Sequence, residues 1–315
     1  MMQRPILAML APLVLGGCIT SFPDITQSRS PCRNDPGGWC DFTREAAADS
    51  YGYAMLSSNA YDDEDTYTEL GVRFEEVGII PVTDEEQDMR DGLDYALYDE
   101  FEVRKTPEGF ARGPRIARIL AFRGTEFSSP TDIIYGSLRE NQIVAARAVY
   151  AAERDRFAAD YPDLPIVLTG HSLGGALSTQ ISIENPGVRA YVFNVSPFYR
   201  GDSATNDKDR VAISERGEFL RVLRRYRSPP AAQMLVINCA PNRSAGEKHG
   251  IRPLGDCLTW IAAYRDAYAG SLLGPNDISK PPVECGPADK VHPGDNYWQK
   301  EPCIHQPRPP EDDES

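Results

Sequence analysis

Short apolar runs alternate along this chain with longer segments whose apolar residues recur at helical spacing. The run "PIVLT" at residues 165–169 is typical of a buried strand, and residues 140–161 combine alanine-rich apolar positions with interleaved charges, which is typical of a helix. The same criteria predict further strands at 115–125, 188–196, 210–214 and 232–238, and further helices at 44–61, 173–185, 217–226 and 251–270. Strands and helices in this order predict an α/β fold with a mostly parallel sheet flanked by helices on both faces.

The two ends of the chain lack this pattern. Residues 18–45 are polar and rich in turn formers, and the chain beyond residue 270 is rich in proline and ends in acidic residues. Such a tail is not expected to pack a core. We therefore expect four segments, which are a signal peptide at 1–17, a tether with a disulfide loop at 18–45, one folded domain at 46–270 and a C-terminal tail at 271–315.

The first residues, "MMQRPILAMLAPLVLGGC", carry one arginine, an apolar run and small residues before Cys18. The run is too short to cross a bilayer, so it predicts a secretory signal peptide. The small residues before the cysteine resemble a bacterial lipobox, which implies cleavage before Cys18 and its acylation. Ile19 in the next position implies outer-membrane residence by the same resemblance. The alternative is an ordinary signal peptide with an incidental cysteine.

The net charge of the chain bears on the class of molecule that it can bind. The net charge is −14, which argues against a nucleic-acid partner because phosphates would be repelled.

Without Cys18, six cysteines remain, and six allow fifteen disulfide pairings. Local spacing favours Cys32–Cys40, Cys239–Cys257 and Cys285–Cys303. The cysteines contain no C-x-x-C spacing, so we expect no metal site.

The sequence "GHSLGG" at residues 170–175 follows the apolar run at 165–169 and precedes a helix. A strand, a G-x-S-x-G turn and a helix together lift a serine hydroxyl clear of a sheet, beside backbone N–H groups that can face a negative oxygen. Ser172 is therefore the candidate nucleophile, and Gly170 and Gly174 are the residues that leave room for the turn. The alternative is a serine in an ordinary glycine turn.

Together with "AFRGTE" upstream, "GHSLGG" resembles the class 3, or fungal-type, lipases of the α/β-hydrolase superfamily. The resemblance spans residues 51–268. It implies that the backbone N–H groups of Thr125 and Leu173 form the oxyanion hole, and that His171 packs beneath the turn without taking part in catalysis. It also places a lid at 126–138, although the apolar residues there are equally compatible with an ordinary core.

A serine nucleophile needs a histidine base and an orienting acid, which follow it in this fold in the order serine, acid, histidine. Among the histidines, His249 lies in a loop before a helix, as the family histidine does, whereas His292 and His305 lie in the proline-rich tail. His249 is therefore the first choice and His292 the second. The alternative is that His249 is an exposed loop residue.

The acid should follow a strand that lies between Ser172 and the histidine. Glu215 and Glu218 both follow the predicted strand at 210–214. Family members commonly have an aspartate there, followed by two apolar residues. Glu218 precedes two apolar residues and is preferred over Glu215, although a glutamate departs from the family pattern. Two aspartates, Asp207 and Asp209, precede the strand and rank lower.

These residues predict a serine hydrolase that cleaves carboxylic esters through an acyl-enzyme and needs no cofactor. The resemblance implies lipid esters, and it leaves open whether the protein is a lipase, a phospholipase or an esterase. The lipobox adds a membrane partner and a location in the cell envelope. The alternative is a surface lipoprotein that uses the hydrolase fold as a binding or scaffold module. Neither the natural substrate nor any protein partner follows from the sequence.

Overall fold

The computed structural model describes residue 32 and residues 35–61, 66–77, 93–124, 140–224, 229–241 and 243–284. Within these residues the α-helices are α1 (Asp41–Asn59), α2 (Glu140–Asp160), α3 (Ser172–Glu184), α4 (Leu220–Arg224), α5 (Ile251–Ala262) and α6 (Ala267–Ser271). The strands are β1 (Phe74–Val77), β2 (Tyr95–Thr106), β3 (Gly109–Phe122), β4 (Ile166–His171), β5 (Ala190–Phe193), β6 (Arg210–Glu215) and β7 (Gln233–Ile237).

The seven described strands form one sheet in the order β1-β2-β3-β4-β5-β6-β7. Strand β2 is antiparallel to both β1 and β3, and β3 to β7 run parallel to one another. Phe122 at the end of β3 pairs with Gly170, and His171 at the end of β4 pairs with Phe193. The carboxyl ends of β3, β4 and β5 therefore meet at one edge of the sheet, where Ser172 follows β4.

Both faces of the sheet are covered by helices. Successive residues of the central strands belong to opposite cores, since Ile119 packs on the side of α1 and α5 while Leu120 packs on the side of α2 and α3. Val167 and Leu168 on β4 divide in the same way. Strands buried on both faces are continuous apolar runs rather than alternating ones, which explains the composition of β4. A mostly parallel sheet with helices on both faces and a serine turn after a central strand is an α/β-hydrolase fold, as predicted.

Most predicted elements occur, and three features differ. The antiparallel strands β1 and β2 were not predicted, and β3 begins at Gly109, six residues before the predicted strand. The single helix predicted at 251–270 is two helices, because α5 ends at Ala262 and Asp266 caps α6 by accepting a hydrogen bond from the Tyr268 N–H at 2.9 Å.

Strand β2 was not predicted because it carries two charged residues that are buried in the fold. Asp99 and Glu100 are both buried on this strand. The guanidinium groups of Arg115 and Arg118 lie 2.8 and 2.7 Å from the Asp99 carboxylate, and that of Arg73 lies 2.7 Å from Glu100. Because each buried carboxylate has a cationic partner, the strand can enter the core with two charges on adjacent positions.

Disulfides tie two loops of the described chain. Cys32 is bonded to Cys40 just before α1, and Cys239 is bonded to Cys257 within α5, so both predicted local pairings are present. Cys285 and Cys303 lie outside the described residues. None of the helices described has the length and apolar character that a membrane span requires.

The folded core extends beyond residue 270, which corrects the expected domain boundary and the expectation that the tail packs no core. Leu272, Leu273 and Ile278 are buried in the core that covers the α1 and α5 face. Glu284 is buried as well. The predicted tether also contributes, because Trp39 packs in the same core.

Glu284 joins the two ends of the described chain. The indole N–H groups of Trp39 and Trp260 donate to Glu284 Oε2 at 3.1 and 2.6 Å, and the Tyr264 hydroxyl donates to Oε1. Burial raises the pKa of Glu284 to about 7, although the hydrogen bonds from Tyr264 and Trp39 oppose that rise. The folded protein therefore holds a proton on this carboxyl at pH values where the unfolded chain has lost it.

This proton makes stability depend on pH. Between about pH 4.5 and pH 7 the folded state binds more protons at Glu284 than the unfolded state, so the free energy of unfolding should fall as the pH rises through this window, by at most about 3 kcal/mol. Glu284→Gln removes the titration and keeps an acceptor oxygen. Urea denaturation of both proteins at pH 5, 6, 7 and 8 gives the free energy of unfolding of each. The value for the wild type minus that for the variant should fall up to about pH 7 and then level off. A constant difference would contradict the assignment.

Candidate active site

Ser172 occupies a tight turn between β4 and α3. Its φ is +54°, a left-handed conformation that is rare for a residue with a side chain. The turn brings helix and strands so close that a Cβ on Gly170 would lie 2.4 Å from the Gly174 carbonyl carbon, and one on Gly174 would lie 2.0 Å from the Phe122 carbonyl oxygen. Only glycine fits these two positions.

Ser172 lies at the first turn of α3, where helix N–H groups have no acceptor within the helix. The N–H of Leu173 belongs to this turn, beside the serine hydroxyl, and the positive end of the helix dipole points the same way. An oxygen that becomes negative next to Ser172 would face this end of the helix. Leu173 therefore lies where an oxyanion donor is needed.

Strand β3 ends beside the same turn, and a Cβ on Gly124 would lie 2.8 Å from the His171 carbonyl oxygen. The predicted second donor, Thr125, is the next residue and lies outside the described residues. The predicted lid at 126–138, the alternative histidines His292 and His305, and Cys18 also lie outside them.

His249 lies 77 residues from Ser172 in the sequence and next to it in space. It ends a 3₁₀ turn (Glu247–His249) just before α5, and its residue surface is only 7% exposed. Its Nε2 atom is 3.0 Å from Ser172 Oγ. His249 is therefore buried beside the serine rather than exposed in a loop.

Glu218 lies on the other side of the imidazole, in the turn between β6 and α4. Its Oε2 is 3.0 Å from His249 Nδ1 and also accepts the Leu220 N–H at 2.8 Å, while Oε1 forms an ion pair with Arg224. A carboxylate only accepts hydrogen bonds, so the proton of neutral His249 is on Nδ1. The unprotonated Nε2 then faces the Ser172 hydroxyl as an acceptor, which is the geometry that general-base catalysis requires.

Glu215, the alternative acid, has a different role. Its carboxylate accepts the backbone N–H groups of Cys239 and Ala240 at 3.0 to 3.2 Å. It thereby fixes the chain after β7, which leads into the loop that carries His249. The structure brings Glu218 to the imidazole, and places Glu215 in a contact with backbone amides.

His171 supports the loop of His249 from below. Its Nε2 donates to the His249 carbonyl oxygen at 2.7 Å, and its Nδ1 lies 2.7 Å from the Tyr61 hydroxyl. Burial, together with the neighbouring His249, holds the pKa of His171 well below its usual range. His171 is therefore neutral. Its Nε2 carries the proton, and Nδ1 accepts from the tyrosine.

Sequence patterns did not single out Arg224 or Asn194. Arg224 donates to Glu218 and, at 2.5 Å, to the Val195 carbonyl oxygen. Asn194 follows β5, has a φ of +41° and contacts both the His249 loop and the end of β6. Arg224 lies six residues after Glu218, and nothing in the residue pattern distinguishes it from the other arginines of that segment. The conformation of Asn194 leaves no trace in the residue pattern.

Apolar side chains lie around the polar centre. The Phe219 ring packs against the His249 ring with a centroid separation of 4.5 Å. Leu173, Ala176, Ile183 and Tyr199 form a small buried cluster of their own on α3 and the chain after β5. Across the residues that the structure describes, no group of His, Cys, Asp and Glu could hold a metal ion.

Comparisons with known proteins find similarity only among solved structures. No family model matches the chain, and no curated protein does. The similar structures include the Lip2 lipase from Yarrowia lipolytica, with 14% identity over 57% of this chain and 76% of that chain and a TM-score of 0.34. A lipase from Rhizopus microsporus var. chinensis has 15% identity over 56% of this chain and 68% of that chain, with a TM-score of 0.35. The native Rhizomucor miehei lipase propeptide complex has 14% identity over 56% of this chain and 62% of that chain, with a TM-score of 0.33.

Proposed function

We propose that this protein is a serine hydrolase that cleaves carboxylic esters, with Ser172 as nucleophile, His249 as base and Glu218 as the acid that orients it. One observation carries the proposal, namely the two 3.0 Å contacts that link Ser172 Oγ to His249 and His249 to Glu218. A buried chain of hydroxyl, imidazole and carboxylate activates a hydroxyl for acyl transfer.

In the first half-reaction, Ser172 Oγ bonds to the ester carbonyl carbon as its proton moves to His249 Nε2. The carbonyl oxygen becomes negative and accepts from the Leu173 N–H and from Thr125. The bond between carbon and the leaving oxygen then breaks, and His249 returns the proton to that oxygen, which releases an alcohol. Glu218 stays ionised and stabilises the transient imidazolium.

In the second half-reaction, water attacks the acyl-enzyme and gives a proton to His249. The bond to Ser172 Oγ breaks, the serine regains its proton, and a carboxylic acid leaves. No step needs a metal or an organic cofactor. All proton transfers pass through the single atom His249 Nε2.

Lipid esters are the proposed substrate class, and the cell envelope is the proposed location. Both come from the sequence, the first from the likeness of "GHSLGG" and "AFRGTE" to the class 3 lipases and the second from the lipobox before Cys18. An acyl chain attached to Cys18 would hold the enzyme at a lipid surface, where lipid esters are concentrated.

The nucleophile can be tested directly. Ser172→Ala should lower the rate of hydrolysis of nitrophenyl esters by at least about 10⁴-fold and abolish labelling by a fluorophosphonate probe. The reason is that the variant lacks the hydroxyl that both reactions need. Ser178→Ala is the matched control, since Ser178 lies buried on the same helix and donates to the Thr169 carbonyl oxygen at 2.9 Å. A folded wild-type protein that is neither labelled nor active would favour the non-catalytic scaffold.

Substitution of Glu218 and substitution of Glu215 should have different effects on kcat. Glu218→Gln removes the charge that holds the Nδ1 proton, so kcat should fall by about 10³- to 10⁴-fold. Glu215→Gln keeps one acceptor oxygen for the Cys239 and Ala240 amides, so kcat should change less than about tenfold while thermal stability falls. Steady-state kinetics and thermal unfolding of both variants check this. A larger loss of kcat in Glu215→Gln would reverse the assignment.

Arg224 should hold Glu218 in place beside the imidazole. Its guanidinium forms an ion pair with Glu218 and donates to the Val195 carbonyl oxygen at 2.5 Å, so Arg224→Met should lower kcat by about tenfold with little change in KM. Arg221→Met, on the same helix, is the control, and steady-state kinetics of both variants check this. An equal loss of kcat in both variants would contradict this role.

A further inference from the structure

We propose that Asn194 is a positioning residue, which fixes the loop of His249 to the end of β6 and so sets the distance between the imidazole and Ser172. The inference rests on the proposed function and goes beyond it, because it assigns part of the catalytic geometry to a side chain outside the triad.

The backbone of Asn194 indicates that its side chain is needed. The residue is fully buried, and its φ of +41° is a conformation that costs a residue with a Cβ about 1 kcal/mol or more. Glycine would avoid that cost. Asparagine adopts this conformation more readily than most residues with a Cβ, and the contacts of its amide group offset the remaining cost.

Those contacts join two segments of the site. Asn194 Oδ1 accepts the Glu215 N–H at 2.8 Å, and Nδ2 donates to the His249 carbonyl oxygen at 2.9 Å and to the Lys248 carbonyl oxygen at 3.3 Å. The partners fix the orientation of the amide, because a backbone N–H can only donate and a carbonyl can only accept. One side chain therefore connects the end of β6, three residues before Glu218, with the loop that carries the base.

The His249 carbonyl is held from two sides. It accepts the Asn194 amide and also the N–H of neutral His171, so its two lone pairs are both used. His171 ends β4 and Asn194 follows β5, two neighbouring parallel strands. The peptide unit of His249 is thereby fixed to the rigid edge of the sheet on which Ser172 also lies.

This attachment matters because proton transfer is sensitive to distance. His249 Nε2 is 3.0 Å from Ser172 Oγ, and a displacement of about 1 Å in an active site can cost about 10²-fold in rate. The loop of His249 has no regular strand to hold it, and the 3₁₀ turn that it ends is three residues long. The hydrogen bonds that His171 and Asn194 donate to the His249 carbonyl oxygen hold the loop in place instead.

The test compares two substitutions at position 194. Asn194→Gly removes the amide and relieves the strained backbone, whereas Asn194→Asp keeps an acceptor for Glu215 but turns an acceptor oxygen toward two carbonyls. Both should lower kcat for a short-chain nitrophenyl ester by about 10- to 100-fold and change KM less than about threefold. Fluorophosphonate labelling of Ser172 should slow in parallel.

Asn206→Gly is the matched control. Asn206 also has a left-handed backbone, with a φ of +55°, and its side chain donates to the carbonyls of Ser182 and Ile183. These lie at the far end of α3, about 15 Å from Ser172. Loss of its contacts should lower stability and leave the kcat of the folded protein within about twofold of the wild type.

The outcomes separate this inference from the proposed function. An active wild type whose Asn194→Gly and Asn194→Asp variants keep its kcat, or lose it only as unfolded protein, would overturn the role of Asn194 alone. A folded wild type that neither hydrolyses esters nor takes the probe would overturn both proposals. A fall in kcat in the two Asn194 variants, with the control unchanged, supports the role.

Discussion

The arrangement of the site depends on how closely α3 approaches the ends of β3 and β4. Gly170 and Gly174 permit a contact that any Cβ would block, and the parallel pairing of Phe122 with Gly170 holds the two strands in register behind it. The strained serine is the result of this close approach, not a separate feature. A hydroxyl raised above the sheet edge can then be met by side chains from loops that follow later strands.

Two later loops supply these side chains, and each is attached to the sheet by buried polar contacts. Glu218 is 31 residues from His249 in the sequence, and the base is 77 residues from the nucleophile. Glu215, Asn194 and His171 all use backbone amides or carbonyls of these loops as partners. The site is therefore a polar network built on an apolar scaffold, in which buried groups satisfy one another.

The sequence predicts what is local and misses what depends on partners. The elbow around Ser172 is encoded within six residues, and the apolar run before it identifies β4, so both were predictable. Strand β2 was missed because its buried Asp99 and Glu100 look like surface residues until Arg118 and Arg73 are placed beside them. The burial of Glu284 was missed for a similar reason, since its partners Trp39 and Trp260 are far away in sequence and a proline-rich segment suggested no core.

The bond between Cys239 and Cys257 encloses His249 in a covalent ring. Ring closure of this length removes conformational entropy from the unfolded chain that corresponds to about 3 kcal/mol. Neither of the two disulfides among the described residues encloses Ser172, so the structure shows no such tether on the serine. A reducing agent would therefore act on the two partners of one proton transfer unequally, because it opens the covalent ring around the base and leaves the chain around the nucleophile unchanged.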